Sequence, residues 1–228
     1  MLFWKKVNRG LLLGAVLVVG MIVFIAVGEA RFRREQPAIR DLMREYLGAT
    51  VELNRVEGAL APDGLLTAEQ KTAQTDAFRE LLRTYWDASE RDVEARYATT
   101  SDLSGGFEAF LNAPRNRLRD WRLNIPDSQI TIHANGPDRA LAEVYVANLT
   151  VVSEGAYPKN LFLSGANTEA GTEAEKPGEE ASGGLYDVTV RGNFSFDLKR
   201  VNGEWKIVGI FSNAYVTNVT EKNGGNAS

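Results

Sequence analysis

The chain has 228 residues, of which 44% are hydrophobic and 25% charged, the composition of an ordinary globular protein. It contains no cysteine, which excludes disulfides, thiolate metal sites and cysteine nucleophiles. The formal net charge is −4, and segment 164–184 alone carries this charge, with five glutamates and one lysine. The rest of the chain is neutral overall, which gives no support to binding of nucleic acid.

An uncharged apolar run extends from Gly10 to Gly28. Nineteen helical residues span about 28 Å, close to the ~30 Å hydrocarbon core of a bilayer. We therefore predict a transmembrane helix at residues 10–30, which would anchor the protein in membrane lipid. A cleaved signal peptide is the alternative, but its apolar region is usually shorter, about 7–15 residues. The small residues at 26–28 match a cleavage site only weakly, so the length of the run favours an uncleaved anchor.

The charges that flank the run bear on its orientation. Lysines at positions 5 and 6 and an arginine at position 9 precede it, which predicts a cytoplasmic N terminus at residues 1–9. Arginines at positions 31, 33 and 34 follow the run and act against this orientation. On balance we expect a single-pass protein of the cell membrane whose C-terminal domain is extracytoplasmic.

Residues 31–60 are predicted to form a helical stalk, because apolar side chains recur there at heptad spacing. The stripe consists of Ile39, Leu42, Tyr46, Ala49, Leu53, Val56 and Leu60. Two interpretations stay open. The stripe either forms a parallel coiled coil that makes the protein a homo-oligomer, or it packs on the protein's own domain.

A second helix is predicted after a turn at residues 61–64. Thr67 and Gln70 form a capping-box pattern at its start. Its predicted apolar face consists of Phe78, Leu81, Leu82, Tyr85, Trp86, Val93 and Tyr97. The aromatic content of this face indicates a core, while polar residues such as Asp87 are expected to face water. A short amphipathic piece at residues 107–111 follows Gly105-Gly106.

Four arginines lie close together in residues 115–122, namely Arg115, Arg117, Arg119 and Arg122. A basic cluster of this kind can contact phosphate, nucleic acid or lipid headgroups. Asp120 interrupts the cluster, and no aromatic-rich binding strand accompanies it. We interpret the cluster as a solvated helix face, with contact to anionic lipid or to an acidic partner as the functional alternative.

The second half of the chain has the pattern of strands. Residues 129–134 and 139–152 flank a turn and predict a hairpin, and a short strand is expected at 161–163. Segment 164–184 has no large apolar residue, so we predict a disordered acidic loop. Its glutamates lack the spacing of a calcium loop. Residues 218–228 are polar and are predicted to form a flexible tail.

A long hairpin is predicted at residues 186–211. Its first strand alternates polar residues with a buried set, Val188, Val190, Phe194, Phe196 and Leu198. Asn202-Gly203 predicts a type I′ turn, which needs positive φ at both central residues. Beyond the turn, Trp205, Ile207 and Phe211 are expected to continue the inward face.

These elements resemble the nuclear-transport-factor-2-like superfamily, a cone-shaped α+β fold. The residues that carry the resemblance are Phe194, Phe196, Leu198, Asn202, Gly203, Glu204, Trp205, Lys206 and Ile207. The resemblance covers about Thr67 to Val216 and implies an α+β domain at residues 65–217, with helices packed on a curved antiparallel sheet. With an N-terminal anchor, the topology is similar to the bitopic assembly factors of type IV secretion systems. It is also similar to membrane proteins associated with mammalian-cell-entry lipid transporters.

The sequence provides no recognisable catalytic set. His133 is the chain's one histidine and shares a predicted strand face with Thr131, while Asp187 and Asp197 fall on the polar face of the long strand. There is no nucleophile elbow, P-loop or Rossmann fingerprint. We therefore assign no catalytic, cofactor-binding or metal-binding residue. We expect a non-catalytic scaffold that contacts other proteins of a bacterial envelope complex. The alternative is a cone pocket that holds a lipid or a small hydrophobic ligand, with or without catalysis.

Overall fold

The computed structural model describes residues 9–60, 64–87, 106–112, 117–154 and 184–222. The helices are α1 (Arg9–Glu52), α2 (Ala68–Tyr85) and α3 (Gly106–Asn112), and a 3-10 turn lies at Asp127–Gln129. The strands are β1 (Arg117–Asn124), β2 (Ile130–Ala134), β3 (Arg139–Glu154), β4 (Leu185–Val201) and β5 (Glu204–Lys222). The chain divides into two compact units, Met1–Ala38 and Ile39–Ser228. Helices and an antiparallel sheet make the fold α+β, as predicted.

The N-terminal unit contains the apolar part of α1. Its large apolar side chains between Leu12 and Val27 are 50–79% exposed, on every side of the helix. Within the described part of the chain, this is the one helix long and apolar enough to cross a membrane. A helix that is apolar all round is stable where its surroundings are apolar too.

The C-terminal unit is built on a five-stranded antiparallel sheet with the order β1-β3-β4-β5, in which β2 also pairs with β3. Both predicted hairpins are confirmed. The β2–β3 turn is closed by a hydrogen bond from the amide of Asn135 to the carbonyl of Arg139 (2.9 Å). The β4–β5 turn has positive φ at Asn202 (52°) and Gly203 (92°), as a type I′ turn requires.

The buried face of the long hairpin is confirmed in β4 and corrected in β5. Phe211, predicted to point inward, is 68% exposed. Asp197 pairs with Gly209 and Leu198 pairs with Ile207, so β5 carries an extra residue in a bulge at this point. One extra residue reverses the alternation beyond it, so Ile210 is buried and Phe211 faces solvent.

The second half of α1 packs on the sheet. Ile39, Met43 and Leu47 are fully buried, and the ring of Tyr46 meets Phe196 edge-on at 5.9 Å. Of the predicted heptad stripe, Ile39, Tyr46, Leu53 and Val56 are buried, and Leu42, Ala49 and Leu60 are half-buried. The stripe therefore packs on the protein's own domain. Self-association through residues 31–60 stays a prediction, and it would have to use side chains that this packing leaves exposed.

The end of α1 differs from the prediction, because the helix stops at Glu52 instead of continuing to residue 60. The side-chain amide of Asn54 donates a hydrogen bond to the carbonyl of Thr50 (3.1 Å), and the chain then bends away. Gly58 has a φ of +82°, which a helix does not allow. The heptad spacing of apolar residues therefore extends to Leu60, although the helix itself ends at Glu52.

The capping box of α2 is confirmed. The Thr67 hydroxyl accepts from the amide of Gln70 (3.3 Å), and the Gln70 side chain accepts from the amide of Thr67 (2.9 Å). Phe78 is buried on the inner face of α2 and stacks at 3.8 Å on Phe107 of α3. The helix ends at Tyr85, whereas Val93 and Tyr97, which the sequence added to its apolar face, lie outside the described residues.

Three other predictions concern the strand-rich half of the chain. Segment 164–183 of the acidic loop and the short strand at 161–163 lie outside the described residues. The predicted flexible tail at 218–228 is wrong in its first residues, because β5 continues to Lys222. Within the strand, Asp187 of β4 faces Thr220 across the ladder, which holds this polar stretch in the sheet.

Candidate functional site

The predicted basic cluster lies on a strand and not on a helix. Residues 117–124 form β1, because Leu118, Trp121 and Leu123 alternate with polar residues once Arg119 is set aside in a bulge. Arg119 pairs with Glu154 at 2.7 Å, and Arg117 lies 3.9 Å from the same carboxylate.

The remaining two arginines of the cluster differ in what the structure describes. Arg122 is exposed and faces Thr150 of β3, and Arg115 lies outside the described residues. Arg117 and Arg119 share one carboxylate of the neighbouring strand, and contact of the cluster with anionic lipid or an acidic partner stays a prediction.

Arg44 joins α1 to the chain between β1 and β2. Its guanidinium donates to the carbonyl of Ile125 (2.9 Å) and to the carboxylate of Asp127. This hydrogen bond, together with the charge of Arg44, lowers the pKa of Asp127 below its ordinary value. Nearby, the indole nitrogen of Trp121 donates to Glu52 at 2.7 Å. These bonds fix the edge of the sheet to α1 and leave Arg44 engaged with the protein itself.

A cleft of about 420 Å³ lies between the end of α1 and α2. It is lined by Ala49, Glu52, Leu53, Arg55, Gln74, Ala77, Glu80, Leu81, Thr84 and Tyr85. Gln74 forms part of its floor, with only 8% of its surface exposed. The Gln74 amide nitrogen donates to the carbonyl of Arg55 (3.4 Å), whereas its Oε1 accepts no hydrogen bond from the described residues. The cleft would suit a small apolar molecule that carries a hydrogen-bond donor.

The junction between α2 and the β4–β5 hairpin contains a buried aspartate, Asp87, whose predicted exposure to water is wrong. Asp87 was predicted to face water on a helix, but α2 ends before it and its carboxylate is fully buried. Its backbone amide donates to the carbonyl of Ile207 (2.9 Å), and its carboxylate pairs with Lys199 at 3.0 Å. Lys206 adds a bond to the carbonyl of Thr84 (2.9 Å). These three contacts hold the end of α2 against the β4–β5 hairpin.

The polar residues that the sequence offered as candidates for catalysis, His133, Asp187 and Asp197, lie apart from one another. His133 is exposed on β2 opposite Leu141, and Asp197 is exposed on β4. Asp187 forms an ion pair with Lys222 at 3.0 Å. Among the residues that the structure describes, no group of three or more histidine, aspartate or glutamate side chains is placed to hold a metal ion.

The buried face of the sheet is covered by large apolar side chains. The largest fully buried ones are Trp86, Tyr46, Phe196, Ile39, Met43, Leu47, Leu82, Leu149, Leu198 and Ile207. Burial raises the pKa of Tyr46 far above its usual range, as expected for a hydroxyl in a dry core. This face of the sheet is therefore covered by α1 and its aromatic neighbours.

The opposite face of the sheet exposes aromatic side chains. Phe211 is 68% exposed, Tyr145 51% and Tyr215 38%. The Tyr145 hydroxyl donates to the carboxylate of Glu143 at 3.0 Å. Sequence reasoning missed Phe211 because the bulge that turns it outward depends on pairing with β4. Exposed aromatic residues of this kind are enriched where proteins contact one another.

Comparisons with known proteins identify no family. No protein-family model matches the chain, and no curated protein matches it in sequence. One similar solved structure is the crystal structure of a hexachlorocyclohexane dehydrochlorinase (LinA) of type 2. It is 9% identical, covers 88% of this chain and 97% of its own, and has a TM-score of 0.32. A similarity this low says nothing about activity. The α+β class rests on the elements described above, which are consistent with a cone-type fold.

Proposed function

We propose that the protein is a single-pass membrane protein whose extracytoplasmic α+β domain binds other proteins of a bacterial envelope complex, without catalysis. The observation that carries the proposal is the contrast between two parts of α1. Between Leu12 and Val27 its apolar side chains are all exposed, whereas Ile39, Met43 and Tyr46 are completely buried. The first part of α1 is stable in an apolar solvent such as the interior of a bilayer. The second part covers the buried face of the sheet, where a ligand would otherwise bind.

The charges beside the apolar run support a cytoplasmic N terminus. Three basic residues precede the run. Behind it, Arg33 pairs with Glu29 at 2.6 Å and Arg31 pairs with Glu35 at 3.3 Å. Acidic residues contribute little to the positive-inside rule, so these pairs do not remove the arginines from the count. The proposed orientation rests on the three basic residues of the short N terminus, and the three arginines behind the run act against it.

An interaction role is supported by the outer face of the sheet. The exposed rings of Tyr145, Phe211 and Tyr215 are the side chains that we expect a partner protein to cover.

The absence of cysteine allows a clean test of topology, because a single introduced cysteine gives an unambiguous signal. In intact cells, a membrane-impermeant maleimide should label Asn213→Cys on exposed β5. It should label Val7→Cys only after the membrane is permeabilised. Recovery of a soluble mature protein that lacks residues 1–28 would contradict the anchor, and the reverse labelling pattern would contradict the orientation.

The interaction role is tested by a photo-crosslinking amino acid at position 211. The matched control is position 76, an exposed position of α2. We expect the same protein adduct at position 211 in repeated experiments on intact membranes, and none at position 76. If position 211 yields only lipid adducts or none, the outer face of the sheet is not the interaction surface.

The cleft between α1 and α2 favours a second function, the binding of a small hydrophobic ligand. Its floor offers the Oε1 atom of Gln74, and Ala77 leaves the space open. Mass spectrometry of the purified full chain should then find an apolar molecule at a stoichiometric ratio. Ala77→Leu, which fills the cleft, should remove it, whereas Ala73→Leu at an exposed position of the same helix should not. Wild-type protein without bound molecule would end this alternative.

A further inference from the structure

The three arginines behind the apolar run differ in their partners. Arg33 is held by Glu29, and Arg31 by Glu35, each one helical turn away. Arg34 is exposed, and within the described part of the chain it has neither an ion pair nor a hydrogen bond. It is therefore the guanidinium of this segment whose five donors are available to an outside anion.

Arg34 lies in a surface groove of about 490 Å³ on α1. The groove is lined by Val27, Ala30, Arg31, Arg34 and Glu35. Residues spaced by three and four positions share one face of a helix, so these side chains form one strip. The strip is apolar at Val27 and Ala30, on the side of the apolar run, and charged beyond them. Two arginines and one glutamate give it a net charge of +1.

We propose that this strip binds an anionic phospholipid, with the phosphate on the guanidinium of Arg34 and an acyl chain along Val27. The inference rests on the proposed membrane anchor. Guanidinium groups match phosphate oxygens with two parallel hydrogen bonds, and Ala30 leaves room for the glycerol between the two ends. A lipid of net charge −1 complements the strip's charge of +1. Arg31 shares its charge with Glu35, so Arg34 supplies the larger part of the attraction.

Native mass spectrometry of the full chain in detergent micelles, titrated with phosphatidylglycerol or phosphatidylcholine, tests the site. One basic residue near an anionic headgroup contributes about 1 kcal/mol, which is about fivefold in affinity. Arg34→Gln should therefore raise the apparent dissociation constant for phosphatidylglycerol about fivefold and leave phosphatidylcholine unchanged. Arg33→Gln, which makes the same change in net charge next to Arg34, should have an effect of about twofold or less.

Four results would overturn the site. These are equal effects of the two variants, no effect of Arg34→Gln, equal affinity of the wild type for the two lipids, and displacement of the lipid by millimolar inorganic phosphate. Failure of the anchor is recognised separately, by flotation with vesicles of pure phosphatidylcholine. Wild type and Arg34→Gln should both float, and a wild type that stays in solution would contradict the anchor itself.

Discussion

Gly192 of β4 has a neighbour that leaves no room for a side chain. A Cβ atom at this position would lie 2.5 Å from Cε2 and 2.7 Å from Cζ of Phe194. Phe194 is itself buried, so its ring cannot move into solvent. In the ladder, Gly192 pairs with Ala147 and Ala214, so small residues surround the ring on both sides. We predict that Gly192→Ala destabilises the protein.

The magnitude follows from two opposed effects. Replacement of a strand glycine by alanine normally stabilises by about 0.5–1 kcal/mol, because the unfolded chain loses freedom. Overpacking of a buried position costs about 1–3 kcal/mol. The clash at Phe194 therefore reverses the usual sign, and we expect a net loss of about 1–2 kcal/mol in the free energy of unfolding.

A double-mutant cycle with Phe194→Leu isolates the clash, because leucine lacks the Cε and Cζ atoms that the new methyl group would meet. In the Phe194→Leu background, Gly192→Ala should regain its normal sign and stabilise by about 0.5–1 kcal/mol. The coupling between the two changes should exceed about 1 kcal/mol. Pulse proteolysis of the full chain in urea measures all four proteins. The reasoning is refuted if Gly192→Ala stabilises the wild type, or if its effect is the same in both backgrounds.

Three further predictions use the same unfolding assay or a titration. At Gly48 of α1 a Cβ would meet only the Trp121 ring, at an ordinary 3.4 Å, so Gly48→Ala should stabilise by about 1 kcal/mol, and a loss would show that the helix needs glycine there. Thr67→Ala should cost about 1 kcal/mol through loss of the capping box, whereas Thr67→Asp should retain most of the stability. The carboxyl of Asp127 should titrate below its ordinary pKa of 3.8 in NMR spectra, and Arg44→Gln should raise this pKa towards the ordinary value, because only the smaller effect of Arg40 would then lower it. Because this pKa is lowered by folding, the stabilisation is complete above pH 3.8 and is lost as the pH falls through the folded-state value; an unchanged titration in Arg44→Gln would contradict the assigned cause.

The features that the sequence predicted correctly are those whose chemistry is local. The capping box needs only Thr67 and Gln70, three residues apart, and the type I′ turn needs only Asn202 and Gly203. Each signal is complete within one turn of backbone, so tertiary contacts had little to change. The burial of β4 followed for a similar reason, because its alternation is not interrupted by a bulge before Leu198.

The errors arose where pairing or packing with a distant element decides the outcome. The direction of the Phe211 side chain depends on a bulge opposite Asp197 and Leu198. The sequence of β5 alone has no feature that predicts the extra residue of this bulge. Asp87 kept its helical position in the sequence prediction, but the chain leaves α2 to pair beside Ile207 of β5. In both cases the sequence pattern is correct up to the residue at which pairing with another strand changes the course of the chain. For Phe211 that strand is β4, and for Asp87 it is β5.

The heptad stripe shows a different limit of prediction from sequence. The same spacing of apolar residues is compatible with a coiled coil and with a helix that packs on a sheet. A row of apolar residues at 39, 46 and 53 specifies a buried side of α1, and either a second helix or a sheet can cover it. The pattern changes character along the helix, from apolar on every side before Gly28 to apolar on one side after Ile39. That change is written in the sequence, and it separates the part of α1 that needs an apolar solvent from the part that needs a protein core. The candidate lipid site lies between these two patterns, at the point where Arg34 has no partner in the described chain.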